Sequence, residues 1–288
     1  MPIIINENIP IFYINLDDNI TRKNSIENTI KNLNFKNYTR IPAINTKSFQ
    51  NIIEFKDVIC EKALNTLIDN NRKKFRNNHY ELTNGSIGCY LSHLKIYKEI
   101  INKNIPYALI FEDDCKVNNT SQNFWENINK MIIPADADIF LLNCSTYDKG
   151  EYFYENIKKH NFFIRLHCYI ITLEGAKKAL PKLLPITMQI DSKLSRLAFN
   201  KILNIYVYTK NIGITTPFIT TMQNLDCEKC NIYKEIHNFS NGDIEHFTDG
   251  NVKHLCKLHN DDIFNKYELF IFIILFMLGM LLFYKKKC

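Results

Sequence analysis

The chain has 288 residues, of which 46% are hydrophobic and 23% charged, with a formal net charge of +6. This content is enough for one full core or two small ones. The charge is mild and the basic residues form no dense stripe, so nucleic acid is not indicated as a partner. There are nine cysteines, an odd number, and the N-terminal MPIIINENIP has no features of a secretory signal. We therefore expect a reducing compartment in which most thiols are free or metal-bound.

The first predicted elements are a buried strand at 10–14, running into Asn15-Leu16-Asp17, and a helix that carries Arg22. A strand that turns into a helix is how a nucleotide-binding α/β unit begins. Without other information, Arg22 is most simply an exposed charge on that helix. A second strand and turn are predicted at 37–45, and an amphipathic segment at 60–68.

The central stretch is a turn at 83–86, a helix with an apolar face from Ile87 to Ile101, and a short apolar run at 107–111. Apolar residues every three or four positions predict the helix, and the run after Pro106 is typical of a buried strand.

Three acids, Glu112, Asp113 and Asp114, end that strand. Acids there are costly to bury unless a cation meets them, and ligands of α/β sheets bind at strand ends. Glu112 and Asp114 are two residues apart and point the same way in an extended chain, which suits a divalent metal holding a diphosphate. A solvated acidic turn is the alternative, and both interpretations are open on spacing alone.

Further strands are predicted at 138–143, 162–166 and 168–172, with a break at His167, before a short helix at 174–180. Asp191 precedes another helix. Its carboxylate is either an N-cap, which accepts backbone N–H bonds, or a general base beside an acceptor hydroxyl.

A polar segment rich in cysteine and histidine follows residue 222 and contains a C-x-x-C and a C-x-x-H. Their spacing fits a structural tetrahedral zinc site, against free thiols in a stalk. The four candidate ligands are Cys227, Cys230, Cys256 and His259.

An uninterrupted apolar run, Leu269–Tyr284, is followed by Lys285-Lys286-Lys287-Cys288. At 1.5 Å per residue it spans about 24 Å, slightly less than the ~30 Å bilayer core. Glu268 marks its start, and the lysines can extend it by snorkelling. We predict a transmembrane helix at 268–284 and a basic tail at 285–288. Lysines on both sides leave the orientation open; the lack of a secretory signal favours a cytosolic catalytic domain.

The segments GSIGCYLSHLKIYKEI and ALIFEDD resemble the central signature of glycosyltransferase family 25, the lipooligosaccharide and procollagen galactosyltransferase group. The INLD strand, the GA helix and the ID pair resemble the same family, and all five features occur in family order between Ile11 and Asp191. The resemblance implies a glycosyltransferase A-type α/β fold. It also implies transfer of a hexose, galactose or glucose, from a UDP-sugar to a saccharide or protein-linked acceptor, with inversion.

The resemblance further implies roles for individual residues. Asn15 and Leu16 would lie near the uracil and Arg22 near the phosphates, although Asp18-Asn19 and Thr21 depart from the family pattern there.

In the second half of the site, the resemblance places Mn²⁺ or Mg²⁺ on Glu112, Asp113 and Asp114 and favours Asp191 as the base. His167 and Tyr169 would line the sugar pocket, or His167 would be a core histidine. The resemblance favours a substrate-pocket role for His93; the alternative is that Ser92 and His93 simply make local hydrogen bonds within the helix.

The predicted organisation is a catalytic domain at 1–222, a polar stalk at 223–267, the transmembrane helix and the tail. The predicted partners are a UDP-hexose donor, a glycan or glycoprotein acceptor, and a membrane. The alternatives are a membrane-tethered nucleotide-sugar-binding protein without turnover, and a zinc-stabilised membrane scaffold.

The first testable prediction concerns the apolar run at 269–284. A chain truncated after Asp262 should be soluble and should still bind a sugar nucleotide, because the anchor contributes nothing to the core. Sedimentation and isothermal titration with UDP would measure both properties. If the truncated chain precipitates with an unfolded core, the segment is part of the fold.

Overall fold

The structure is a computed structural model that describes residues 5–117, 121–129, 131–210, 213–215 and 225–227. These residues belong to one compact unit that extends to Asn231. The predicted transmembrane helix, the tail and all but three residues of the predicted stalk lie outside the described residues. Within the described ranges, no helix is both long and apolar enough to cross a bilayer.

Twelve strands, seven α-helices and two short 3-10 helices are assigned within the described residues. The strands are β1 Ile11–Asn15, β2 Tyr38–Pro42, β3 Phe75–Arg76, β4 Tyr107–Glu112, β5 Cys115–Val117, β6 Ile139–Thr146, β7 Glu151–Tyr154, β8 Ile157–Lys159, β9 Phe163–Thr172, β10 Ile205–Tyr208, β11 Gly213–Thr215 and β12 Asp226–Cys227. The helices are α1 Ile20–Asn32, α2 Phe49–Ile53, α3 Glu61–Lys73, α4 Asn84–Asn102, α5 Ser121–Asn129, α6 Leu173–Ala179 and α7 Ile190–Phe199, with 3-10 turns at Lys56–Val58 and Leu180–Lys182.

Eight strands form one sheet in the order β2-β1-β4-β9-β6-β10-β8-β7. The first three are parallel, β9 is antiparallel to both β4 and β6, and β10 is again parallel to β6. This sheet confirms the predicted α/β class. The strands β1, β4, β6 and β10 share one direction, so their carboxyl ends meet at one edge.

The sheet is covered on both faces, as expected for strands that are apolar throughout. Alternate residues of β1 belong to two different hydrophobic clusters: Phe12 and Ile14 pack with α4 and α7, whereas Ile11 and Tyr13 pack with α1 and α5. The result is a helix–sheet–helix arrangement in which β4 is buried from Ala108 onward.

The region predicted as two strands broken at His167 is one strand, β9, which corrects that expectation. The strand is nevertheless irregular near this position. The pairing of β9 with β6 shifts register twice, and Arg165 has a positive φ of 76°. The bulge locally re-aims side chains next to the sheet edge without ending the strand.

The N-terminal half of α4 is fixed by a capping box at its start and by a close contact with the loop after β2. Thr83 and Ser86 form a reciprocal capping box at its start. Gly88 is buried against the loop after β2, where a Cβ atom would lie 2.2 Å from the carbonyl oxygen of Ile44 and 2.6 Å from Thr46 Oγ1. Only glycine therefore allows this loop to approach the helix. Ser92 donates to the Gly88 carbonyl within the helix and accepts from the Ile44 N–H of the loop, so its hydroxyl joins the helix to this loop.

This contact generates the second prediction. Gly88→Ala should lower the free energy of unfolding by about 1–3 kcal/mol, the usual cost of overpacking, although alanine favours a helix by about 1 kcal/mol. Urea denaturation would measure the change. Lys98→Ala, at an exposed position of the same helix, is the control and should stay within about 0.5 kcal/mol. A Gly88→Ala protein more stable than the parent would contradict the close contact.

Candidate functional site

The carboxyl edge of the sheet opens into a cleft. Four segments line it: the end of β1 with the start of α1, the loop after β2, the first turns of α4, and the acidic end of β4 with the turn that follows. The lining residues are Ile14, Asn15, Leu16, Arg22, Ala43, Ile44, Asn45, Thr46, Lys47, Gly85, Cys89, Glu112, Asp113 and Asp114. The structure thus brings together the residues predicted for base, phosphate and metal binding.

Glu112 is the most deeply enclosed acid of the turn. One of its carboxylate oxygens lies 3.2 Å from His93 Nε2, and the other lies 2.9 Å from His167 Nδ1. Burial alone would raise the pKa of Glu112, but the hydrogen bonds from His167 and His93 hold this pKa far below its usual range. Glu112 is therefore an ionised carboxylate inside the protein.

Asp114 and Glu112 converge on the same imidazole. His167 Nδ1 lies 2.9 Å from an oxygen of each carboxylate. Burial lowers the pKa of His167, but its hydrogen bonds to the two carboxylates and their negative charge outweigh this effect and raise the pKa to about 11. The single Nδ1–H group can point at only one of the two carboxylates, Glu112 or Asp114. A bound cation would neutralise the carboxylate that this N–H does not reach.

The donor set fits a hard divalent ion. Oxygen atoms of Glu112 and Asp114 and a ring nitrogen of His167 lie within 4.8 Å of one another. Carboxylate oxygens with one imidazole are ligands that Mn²⁺ accepts, and carboxylates suit Mg²⁺. As predicted, the carboxylates of Glu112 and Asp114 lie close together. His167 is a further candidate ligand that their spacing did not predict.

Asp113 points elsewhere, which corrects the expectation that all three acids form one metal cradle. It accepts hydrogen bonds from Asn15 Nδ2 at 2.8 Å and from Arg22 at 2.9 Å. Burial raises the pKa of Asp113 despite these bonds. Asp113 thus anchors Arg22, which is 5% exposed, so Arg22 is not the exposed helix charge of the simpler interpretation.

Asn15 is committed to the protein's own hydrogen bonds. Its amide donates to Asp113 and to the Asn19 carbonyl, and its Oδ1 accepts from Arg40 Nε at 3.2 Å. Asn19, one of the departures from the family pattern, caps α1 by accepting from the Arg22 N–H. The altered residue therefore still supports the start of this helix.

His93 and Tyr169 lie behind the cleft. Both are completely buried, with His93 Nδ1 2.8 Å from the Tyr169 hydroxyl, which lies 3.1 Å from the Tyr97 hydroxyl. Tyr169 therefore does not line the sugar pocket, because its ring is enclosed between α4 and the sheet. His93 pairs with an acid, Glu112, and its hydrogen bond helps to keep that carboxylate ionised at the edge of the cleft.

Asp191 is the second residue of α7, whose N-cap is Gln189, so the N-cap interpretation is wrong. Its carboxylate accepts from the backbone N–H groups of Arg165 at 2.9 Å and Ser192 at 2.6 Å. Its charge also acts on Cys89, His79 and Arg76. Asp191 therefore faces the region next to the cleft.

Several site residues could not be identified from the sequence. Arg40 reaches both the side chain and the carbonyl of Asn15, and its only sequence signal is a charge inside a short strand. The charge of Asp191 acts on Arg76 and His79, and neither residue belongs to a motif that the sequence analysis could identify.

The cysteines among the described residues fall in two groups. Cys60, Cys89, Cys115, Cys144 and Cys168 are not disulfide-bonded. Cys227 is disulfide-bonded, and a disulfide sulfur offers no thiolate, so zinc binding there requires the reduced chain. The other predicted zinc ligands, Cys230, Cys256 and His259, lie outside the described residues, and the zinc site stays a prediction.

The fold and the acidic edge define an α/β protein of the class whose ligands bind at the carboxyl ends of the strands. Residues 8–194 match the family described as Glycosyltransferase family 25 (LPS biosynthesis protein). The match covers about two thirds of the chain, which therefore belongs to this family.

Curated relatives agree with this membership. The chain is 26% identical over 185 residues to the Lipooligosaccharide biosynthesis protein lic2B of Haemophilus influenzae, covering 58% of this chain and 66% of that protein. It is 28% identical over 104 residues to human Procollagen galactosyltransferase 2, covering 34% of this chain and 17% of that protein. It is also 32% identical over 57 residues to the human Inactive glycosyltransferase 25 family member 3, covering 20% of this chain and 9% of that protein. The chain thus spans less than two thirds of each relative.

The buried Arg22–Asp113 pair yields the third prediction. Arg22→Gln leaves Asp113 buried without its cation, so the free energy of unfolding should fall by about 3–5 kcal/mol. The double variant Arg22→Gln/Asp113→Asn should recover most of this loss, because no charge is left uncompensated.

Chemical denaturation of the three proteins would measure the effect. Arg72→Gln is the control, since Arg72 and Asp69 form an exposed pair on α3 that contributes at most about 1 kcal/mol. If the double variant is no more stable than Arg22→Gln, the ion pair with Asp113 is not the reason why Arg22 stabilises the protein.

Proposed function

We propose that the protein is a hexosyltransferase that moves galactose or glucose from a UDP-sugar to a saccharide or protein-linked acceptor, with inversion and with dependence on Mn²⁺ or Mg²⁺. The observation that carries the proposal is the convergence of Asn15, Arg22 and the acidic turn on one cleft at the carboxyl edge of the sheet. Membership of glycosyltransferase family 25 supports a sugar donor and a glycan acceptor. The names of the matched relatives support galactosyl transfer and lipopolysaccharide biosynthesis.

Glu112, Asp114 and His167 would hold the metal ion. When bound, the ion supplies Lewis-acid stabilisation of the negative charge on the departing UDP. Without metal, His93 and His167 keep the Glu112 carboxylate ionised and oriented. An ion held by His167 would replace the Nδ1 proton of this imidazole, and that proton would pass to solvent. Arg22, fixed by Asp113, adds positive charge where the end of β1 meets the cleft.

Asp191 is the residue we assign to the acceptor side. A general base must take the proton of the attacking hydroxyl. The backbone N–H groups of Arg165 and Ser192 fix its carboxylate, and this carboxylate lies electrostatically close to Cys89, which lines the cleft. These contacts hold the carboxylate in one orientation at the start of α7.

A binding protein without turnover is the second candidate, and one relative bears the name of an inactive family member. Release of UDP from UDP-hexoses in the absence of acceptor separates the two, because active transferases often hydrolyse their donor slowly and a binder does not. A panel of UDP-sugars, with and without Mn²⁺, would identify the donor. Metal-independent binding with no UDP release from any donor would leave only the binder.

The fourth prediction separates the metal ligands from the base. Asp114→Asn removes one charge from the metal group, so metal affinity, UDP-sugar affinity and turnover should all fall. Raised Mn²⁺ should recover part of the loss by mass action. Asp191→Asn should leave donor and metal affinity nearly unchanged and reduce turnover by about 10²–10⁴-fold.

Isothermal titration and steady-state rates at saturating donor and acceptor would measure these effects. Asp69→Asn, an exposed carboxylate on α3, is the matched control and should change neither affinity nor rate. Normal turnover of the Asp191→Asn protein would remove the base role from Asp191 while leaving the metal assignment intact.

A further inference from the structure

A second group of potential metal ligands shares Glu112 with the first and adds Cys89, a thiol to which the proposed function assigns no role. Cys89 and His93 are one turn apart on α4, and both face Glu112 at the end of β4. Cys89 Sγ lies 3.8 Å and His93 Nε2 lies 3.2 Å from Glu112 Oε1, and the three ligand atoms are within 4.8 Å of one another.

These distances match tetrahedral zinc coordination. With Zn–S of about 2.3 Å, and Zn–N and Zn–O of about 2.0–2.2 Å, a tetrahedral ion separates sulfur from oxygen by about 3.6 Å and nitrogen from oxygen by about 3.4 Å. The two measured separations differ from these values by about 0.2 Å each. Two ligands at i and i+4 of a helix, with a carboxylate from another element, are also a familiar zinc arrangement.

The chemistry of this group differs from that of Glu112, Asp114 and His167. A thiolate and an imidazole select a soft or borderline cation, whereas carboxylates favour Mg²⁺ or Mn²⁺. The carboxylate of Glu112 divides between the two groups, with Oε1 towards Cys89 and His93 and Oε2 towards His167. One residue therefore joins two sets of ligands of different preference.

The hydrogen bond behind His93 supports ligation. Metal-binding histidines usually donate their other ring N–H to an oxygen, which fixes the tautomer. His93 Nδ1 lies 2.8 Å from the Tyr169 hydroxyl, and that hydroxyl has Tyr97 as its own partner at 3.1 Å. Without metal, Nε2 carries the N–H that Glu112 accepts. When an ion is bound, donation from Nδ1 to Tyr169 would leave Nε2 unprotonated, with its lone pair towards the ion between Glu112 and Cys89.

The fourth position of the ion would face the cleft, because Cys89 is half-buried and lines it. Burial, and next the charge of Glu112, raise the pKa of the Cys89 thiol, so a metal-free Cys89 is neutral. Binding exchanges that proton, which passes to solvent, for a Zn–S bond, and the charge of the cation replaces the proton.

We propose that Cys89, His93 and Glu112 form a site for a thiophilic divalent cation, and that this cation is Zn²⁺. A water molecule or a ligand bound in the cleft would occupy the fourth coordination position. The site does not depend on transferase activity, so its test needs no turnover.

Co²⁺ is the probe, because a thiolate bound to tetrahedral Co²⁺ gives a charge-transfer band in the near ultraviolet. The full chain carrying Cys227→Ser and Cys230→Ser, which remove two of the predicted zinc ligands of the stalk, is reduced, stripped of metal and titrated with Co²⁺ in excess Mg²⁺, which fills carboxylate sites without a spectral signal. We expect a band that saturates and is displaced by Zn²⁺. In this background Cys89→Ser and Cys89→Ala should lose the band, while Cys60→Ser, which removes a thiol elsewhere, should keep it.

Tyr169→Phe is the second measurement. It keeps all three ligands and removes only the acceptor behind His93, so the band should persist while the Co²⁺ affinity falls by about 10–100-fold. Circular dichroism checks that each variant is folded. A Cys227→Ser/Cys230→Ser parent protein without a saturable band, or a band unchanged in a folded Cys89→Ser protein, would overturn the proposal.

Discussion

Glu112 is a carboxylate buried at the end of the central strand β4, and its need for hydrogen-bond donors constrains the elements around it. A buried ionised acid costs several kcal/mol unless its oxygens are matched. The donors come from two elements distant in sequence: His93 from α4 and His167 from β9. Meeting this requirement fixes α4 on one face of the sheet and the bulged start of β9 beside β4. Asp113 and Asp114 form the turn directly after Glu112, so fixing Glu112 also places these two acids at the cleft.

Local patterns were sufficient to predict β1, α4, β4 and β6, because each contains an uninterrupted apolar run or a clear helical repeat. The two-residue spacing also predicted that Glu112 and Asp114 would lie together. Strand alternation could not place Asp113, because that residue follows the strand in a turn where alternation ends. Its orientation depends on Arg22 and Asn15, which come from a different strand–helix unit.

Contacts between distant elements account for most of the remaining differences. His167 meets Glu112 because β9 pairs antiparallel with β4, with Cys168 opposite Phe111. The sequence does not reveal that pairing, since β9 and β4 are separated by β5, α5 and β6–β8 along the chain. Tyr169 was expected at the pocket, but its hydroxyl meets His93 and Tyr97 of α4. The helix that covers this face of β9 is not contained in any single-strand pattern. The family resemblance supplied the residue types of the site but not their partners.

The insertion of β9 between β4 and β6 also bears on how the chain acquires its site during synthesis. The strands β4 and β6 emerge from the ribosome earlier, yet neither can pair with the other in the final sheet, because the place between them is taken by a strand made later. No nascent chain that ends before Phe163 can close the sheet or bring His167 to Glu112. The N-terminal half must wait, with a sheet edge open, until Thr172 has left the exit tunnel.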